Sequence, residues 1–264
     1  MIKNNLNKEL PFYRPVGREE EVFEHLFQNK LPLLIKGPTG SGKSRFVEYM
    51  AAKMGKELIT VSCHEETSAV DLLGRYLVKG DETVWTDGPL TRAVRLGCIV
   101  YLDEIAEARP DVIVAIHSLT DHRRELFLDR VNETIKAPDD FMLIASYNPG
   151  YQGGLRELKP STRQRFVAMS FDYPEASVET EILQQETGID TNNAGQLVKL
   201  AGKIRATVIA GLSETVSTRL LVDAAKLIAS GLPPRLSCKI AIIEPMTDDK
   251  ETAHALEEFV SMIF

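Results

Sequence analysis

"GPTGSGKS", residues 37–44, decides the reading of this chain. The eight residues fit the pattern G-x-x-x-x-G-K-[ST], in which a glycine-rich turn aims successive backbone N–H groups at phosphate oxygens. Gly37, Gly40 and Gly42 are expected to take conformations that a Cβ would forbid, and Pro38, Thr39 and Ser41 complete the cradle. Lys43 then reaches the β- and γ-phosphates, and the Ser44 hydroxyl is placed to ligate Mg²⁺. The flanks agree with this reading. "LPLLIK" before the loop is a short apolar run that reads as a buried strand. "SRFVEYMAAKMG" after it places Phe46, Val47, Met50 and Met54 at helical spacing and stops at Gly55. Strand, loop and helix in that order put the phosphates at the positive end of a helix.

Working outward, apolar strand-like runs alternate with helical periods. "KELITVSC" (residues 56–63) and "DFMLIASYNPG" (140–150) read as strands, and "CIVYLDEI" (98–105) is a continuous apolar run ending in two acids, as in a central parallel strand. "GPLTRAVRLG" is a helix pattern bounded by glycines, and "RPDVIVAIHSLTDHR" is a helix with Pro110 near its first turn. Two stretches interrupt the alternation as candidate hairpins, one at about 74–90 around a Gly-Asp turn and one at about 123–137. The expected architecture is α/β, a parallel sheet sandwiched by helices over residues 1–174. From 175 to 264 the periods are helical, with "KIAIIEP" readable as either strand or helix, so a smaller α-helical lid is expected there.

The acids at the end of "YLDEI" lie sixty positions after Lys43, at the carboxyl end of a strand where parallel sheets bind ligands. If successive strand residues face opposite ways, one of Asp103 and Glu104 can hold Mg²⁺ through water while the other polarises a water for attack on the γ-phosphate. An adjacent base of this kind favours hydrolysis over a metabolite kinase, which must keep water inactive. Asn148, at the tip of "LIASYN", can reach the same water or the γ-phosphate, the alternative being an Asx-turn before Pro149. Arg163 and Arg165 in "LKPSTRQRF" read either as a solvated face or, being outside the phosphate loop, as charge that could complete a neighbouring subunit's site. Arg219 opens a helix in "VSTRLL", where a cation opposes the macrodipole unless an anion such as phosphate is nearby.

Bulk composition narrows the class. With 44% hydrophobic and 26% charged residues in 264, the chain is an ordinary globular one with room for a sizeable core. Cys63, Cys98 and Cys238 are scattered and odd in number, which points to reduced core thiols rather than zinc or disulfides. A net charge of −7 and the lack of a basic, aromatic-bearing stripe argue against a nucleic-acid motor. No eighteen-residue apolar window and no signal-type h-region occur, so a cytoplasmic protein without membrane contact is expected.

Taken together, "GPTGSGKS", "YLDEI", "SYNPG", "LKPSTRQRF" and "VSTRLL" resemble the AAA+ ATPases of the MoxR branch, and within it the CbbQ/NirQ/NorQ subgroup. "GRYLVKGDETVWTDGPLTRAVR" is especially similar to the helix-2 insert region of CbbQ, to which the resemblance is closest. The resemblance covers about residues 13–249 and implies a ring, usually a hexamer, with ATP and Mg²⁺ between subunits. It implies Walker A roles for Lys43 and Ser44, Walker B roles for Asp103 and Glu104, sensor 1 for Asn148 and sensor 2 for Arg219. Arg165, before Phe166, best matches the arginine finger, with Arg163 second. It further implies a partner bearing a von Willebrand factor A domain. For the CbbQ kind that partner is CbbO and the client is Rubisco freed of inhibitory sugar phosphates. The closeness to CbbQ makes this Rubisco activase reading the expected one; the alternative is the NirQ and NorQ kind, whose client is a denitrification reductase. The hairpins, one carrying Trp85, are where remodelling force would be delivered, and no Tyr-Val-Gly pore loop is present.

Overall fold

The computed structural model describes residues 10–149, 158–207 and 215–264. Helix α1 (Glu19–Gln28) precedes strand β1 (Leu33–Lys36), the phosphate-loop candidate and helix α2 (Lys43–Lys53). Strand β2 (Leu58–Ser62) and the short helix α3 (Ala69–Leu73) lead into a hairpin of β3 (Gly74–Lys79) and β4 (Glu82–Asp87). Helix α4 (Pro89–Leu96), strand β5 (Ile99–Asp103) and helix α5 (Pro110–Ile116) follow, then a second hairpin of β6 (Glu125–Leu128) and β7 (Glu133–Lys136). Strand β8 (Met142–Tyr147), helix α6 (Pro160–Arg163) and strand β9 (Val167–Ser170) complete the sheet-bearing part.

Five strands pair in parallel in the order β2-β5-β8-β1-β9. Parallel neighbours need crossover connections, and these bring helices to both faces. Strand alternation divides the apolar side chains between two cores. Leu33, Ile35, Ile99, Tyr101 and Ile144 pack with Phe23 of α1 and with Phe46, Val47 and Met50 of α2. Leu34, Val100, Leu102, Leu143 and Ala145 face the other way, toward α3, α4, α5 and the hairpins. All six positions of β8 are buried, so it carries no polar alternation, Ser146 being its one buried hydroxyl besides Tyr147 at the end.

After β9 every described element is helical. They are α7 (Ala176–Thr187), α8 (Thr191–Ala206), α9 (Thr218–Ala229), α10 (Pro234–Cys238), α11 (Glu244–Met246) and α12 (Lys250–Ile263). "KIAIIEP" resolves as helix: a π turn, Lys239–Ile243, joins α10 to α11 just before Pro245. Proline cannot donate the usual helical hydrogen bond, and a widened turn accommodates its loss. A third core draws on residues 183–264 alone, which supports our proposal to divide the chain at Pro174.

The hairpins brace each other. Arg95 of α4 donates to Asp87 on β4 (2.8 Å) and, through two nitrogens, to Glu133 on β7 (2.7 and 2.5 Å). Tyr76 donates to the Arg130 carbonyl (3.2 Å). Trp85 stacks edge-on against Tyr76, donates to Asp87 and packs on the core, so it roots its hairpin. The most exposed apolar side chain of the first hairpin is Val78, at 77%.

Elements α1 and β9 were not anticipated from sequence. The three acids that open α1, followed by Phe23 and Leu26, are a legible helix start. β9 is a four-residue edge strand, mostly exposed, with no alternation to read. Ile144 is fully buried at the centre of the sheet. Ile144→Ala is expected to cost about 2–5 kcal/mol, read as a lower urea midpoint with an unchanged denaturant slope.

Candidate functional site

The strand order assembles the site. β8 lies between β1 and β5, and Lys36 pairs with Tyr147, so the phosphate loop and Asn148 leave the sheet side by side. Gly40 (φ 70°) and Gly42 (φ 90°) take the left-handed conformations expected of them. Gly37 does not, and its need for glycine is steric: a Cβ there would lie 2.4 Å from the Phe171 carbonyl oxygen after β9.

The Lys43 side chain is nearly buried, and its ammonium donates to the carbonyls of Gly37 (2.9 Å) and Pro38 (2.8 Å) and to Asn148 Oδ1 (2.7 Å). The Asn148 amide nitrogen reaches Thr39 Oγ1 (3.3 Å) and Glu104 Oε1 (3.2 Å). One asparagine thus touches the loop, its lysine and the second acid of "YLDEI".

Asp103 is held from beneath. Tyr101 Oη and Ser146 Oγ both lie 2.6 Å from Asp103 Oδ1 as donors, while Ser44 Oγ donates to Oδ2 (3.2 Å). Burial, and next the Asp103 carboxylate, push the Tyr101 hydroxyl well above its ordinary pKa, so it stays protonated as a donor. Burial, followed by Asp103 and Glu104, likewise pushes the nearby Cys63 thiol up to about 12, which keeps it unreactive. The carboxylate and Ser44 hydroxyl form an all-oxygen donor set that fits Mg²⁺, a hard cation.

Glu104 is not a strand residue. It follows β5 in the left-handed region (φ 55°, ψ 47°), and its N–H donates to Ser146 Oγ (3.1 Å). Simple strand alternation therefore does not separate the two acids; a strained turn does, and such strain in a non-glycine residue concentrates at functional sites. The Glu104 side chain is exposed at the cleft and within reach of Asn148.

A cleft of about 520 Å³ runs from this cluster to the helical part, lined by Tyr13, Thr39, Asp103, Glu104, Ile182 and Arg219 among others. Arg219, exposed in the first turn of α9, faces it. Arg163 and Arg165 do not line the cleft. Arg163 is exposed at the end of α6, and Arg165 approaches Asp121 (3.7 Å). Hydrogen bonding from Arg123 holds the Asp121 carboxyl down at about 2, so it stays anionic beside Arg165. Burial, then Arg165, keeps neighbouring His117 below its usual value.

Residues 32–166 match the profile of the AAA domain (dynein-related subfamily), and residues 179–263 match that of the CbbQ/NirQ/NorQ C-terminal region. The chain belongs to the CbbQ/NirQ/NorQ family of AAA ATPases. Protein NorQ of Paracoccus denitrificans is 57% identical over 96% of this chain and 94% of its own length. The denitrification regulatory protein NirQ of Pseudomonas aeruginosa is 54% identical over 96% of this chain and 97% of its own. Protein CbbQ of Hydrogenophilus thermoluteolus is 52% identical over 96% and 95%. A crystal structure described as an ATPase candidate from Cytophaga hutchinsonii superposes with a TM-score of 0.51 at 14% identity, covering 94% of this chain and 90% of that one. That likeness concerns the fold alone. The family members are ATPases, and this chain binds and hydrolyses ATP. Among the described residues, no helix is long and apolar enough to cross a membrane.

A Cβ at Gly40 would meet the Ser217 Cβ at 2.6 Å in a left-handed backbone. Gly40→Ala is expected to weaken ATP binding about tenfold or more, in line with about 1–3 kcal/mol of backbone strain. Titration with a fluorescent ATP analogue, with circular dichroism to verify the fold, checks it.

Proposed function

We propose that this ATPase is the motor of a protein-remodelling complex, working as a hexameric ring. Its nucleotide would lie in the cleft beside Lys43, with Arg165 of the neighbouring subunit, or Arg163, completing the site. The observation that carries the reading is the convergence of Lys43, Ser44, Asp103, Glu104 and Asn148 at the carboxyl ends of the three adjacent strands β1, β8 and β5.

Each side chain has a chemical task in this reading. Lys43 neutralises phosphate charge, exchanging its present carbonyl acceptors for phosphate oxygens. Ser44 and Asp103 would hold Mg²⁺, which shields the charge of the phosphates. Glu104 polarises the attacking water and Asn148 orients it, which suits a hydrolase that needs no second acceptor. Arg163 and Arg165 lie away from the cleft of their own chain, which supports a role at a subunit boundary. Nucleotide-driven movement of the helical part against the sheet would then shift the braced hairpins against a docked partner.

For the partner we favour a protein with a von Willebrand factor A domain. The client reading has two arms. A CbbO-type partner and Rubisco carrying an inhibitory sugar phosphate would fit the CbbQ relative. A denitrification reductase awaiting maturation would fit the NirQ and NorQ relatives, whose similarity is no lower. Catalytic recovery of one client, dependent on ATP hydrolysis, identifies the arm.

Glu104→Gln is expected to bind ATP with near-normal affinity and to lose about 10²-fold or more in turnover, the usual scale of general-base catalysis. Lys43→Ala is expected to lose nucleotide binding. Phosphate release and equilibrium binding, measured without any acceptor substrate, check both; unchanged turnover in Glu104→Gln removes that residue from the mechanism. Arg165→Ala is expected to lose hydrolysis alone and to regain part of it when mixed with Lys43→Ala, because hybrid interfaces pair an intact loop with an intact arginine. Mixing that restores nothing, while Arg163→Ala with Lys43→Ala does recover activity, assigns the role to Arg163.

A further inference from the structure

The helical part carries an ion pair, its carboxylate buried and its guanidinium half-buried, that the nucleotide chemistry does not use. Glu179 of α7 is 1% exposed, and Arg205, near the end of α8, donates to both its oxygens at 2.8 Å. Two charges leave water together only when their remaining hydrogen-bonding capacity is satisfied. Here it is: Thr218 Oγ1 donates to Glu179 Oε1 (2.6 Å), and Arg205 Nε donates to the Val216 carbonyl (3.0 Å). Both extra contacts fall on the two ends of one short stretch, Val216 to Thr218, immediately before Arg219.

On its other face the guanidinium lies 4.1 Å from the centre of the Tyr173 ring. The Tyr173 hydroxyl donates to the carbonyl of Thr39 in the phosphate loop (3.2 Å). Thr39 is also the loop residue whose side chain meets Asn148. At Gly40, the next residue, the loop approaches Ser217 so closely that no Cβ fits. A continuous set of contacts therefore runs from the loop through Tyr173, Arg205 and Glu179 to the start of α9, where Arg219 faces the cleft.

We propose that Tyr173, Arg205 and Glu179 are positioning residues for ATP hydrolysis, which hold the start of α9 in register with the phosphate loop and so place Arg219 over the nucleotide. None of the three touches the reacting atoms; they act through Arg219. The inference rests on the proposed ATPase reading and on the sensor 2 role that the family resemblance implies for Arg219, which lines the cleft. The planar guanidinium makes the bidentate pair and the stacking contact at once, which a lysine ammonium cannot do.

Arg205→Ala would leave the Glu179 carboxylate buried without its partner and destabilise the helical core, so the mildest change, Tyr173→Phe, is the test. It removes one hydroxyl and keeps the ring under Arg205. In the full-length protein, Tyr173→Phe is expected to lower kcat about three- to tenfold, the scale of one lost hydrogen bond, with KM within about twofold of normal. The thermal midpoint without nucleotide and its rise on adding a non-hydrolysable ATP analogue both stay near their original values, because ground-state binding is retained. The decisive comparison is a double-mutant cycle with Arg219→Ala. If Tyr173 acts through Arg219, the double variant turns over no more slowly than Arg219→Ala alone. Independent, multiplying losses overturn the inference, as does normal turnover in Tyr173→Phe beside impaired Arg219→Ala. Normal turnover in Arg219→Ala overturns the role of Arg219 itself and the inference with it. Arg205→Lys, read in the same assay, is expected to fall with Tyr173→Phe in kcat and not to restore the original rate.

Discussion

The ammonium of Lys43 is the interaction on which the rest of the site depends. A nearly buried cation requires oxygen acceptors around it, and three are supplied within 2.9 Å by Gly37, Pro38 and Asn148. Two of them belong to a loop whose left-handed turns at Gly40 and Gly42 fold the backbone around the side chain. The third comes from another strand more than a hundred residues away. That geometry follows from β8 pairing directly beside β1, so the lysine's environment and the sheet order depend on each other.

Beneath the loop, the carboxylate of Asp103 is treated differently from that of Glu104, its neighbour in sequence. Asp103 is pinned by two hydroxyls from the sheet interior, and one of its oxygens is turned toward Ser44. Glu104 leaves the strand through a strained turn whose N–H is tied to Ser146, and its side chain projects into the cleft. Ser146 touches both residues, holding the first carboxylate and stabilising the turn that frees the second. A rigid acid suits a charge-holding role, and a more accessible one suits contact with water.

The helical part packs its own apolar core while meeting the sheet-bearing part through Arg205 on the Tyr173 ring, the ion pairs Arg14–Glu181 and Arg45–Glu186, and the close approach of Ser217 to Gly40. Such a junction can change its relative placement without exposing a large apolar surface, unlike the interior of either core. The hairpins on the sheet side are tied together by Arg95 and Tyr76. A displacement reaching one of them is therefore shared with the other, although both ties are partly exposed and each is weak by itself.

The elements at the heart of the site were legible in the sequence because their signals are local. Apolar runs, helical spacing and two left-handed glycines specify a strand, a turn and a helix within about twenty residues, and "YLDEI" announces a buried strand ending in acids. Long-range relations were not legible in the same way. Gly37 is required by the approach of Phe171, and Glu104 is turned by Ser146, neither of which is near in sequence. The pairing of Arg205 with Glu179 has no local signature either, since each reads by itself as an ordinary charged residue on a helix. Local periodicity determined the strands and helices around the phosphate loop and which side chains could handle phosphate, but not the edge strand β9, which has no alternation to read. Strand order, register and the packing of the helical part decided which of those side chains meet, because such contacts depend on how distant segments share space.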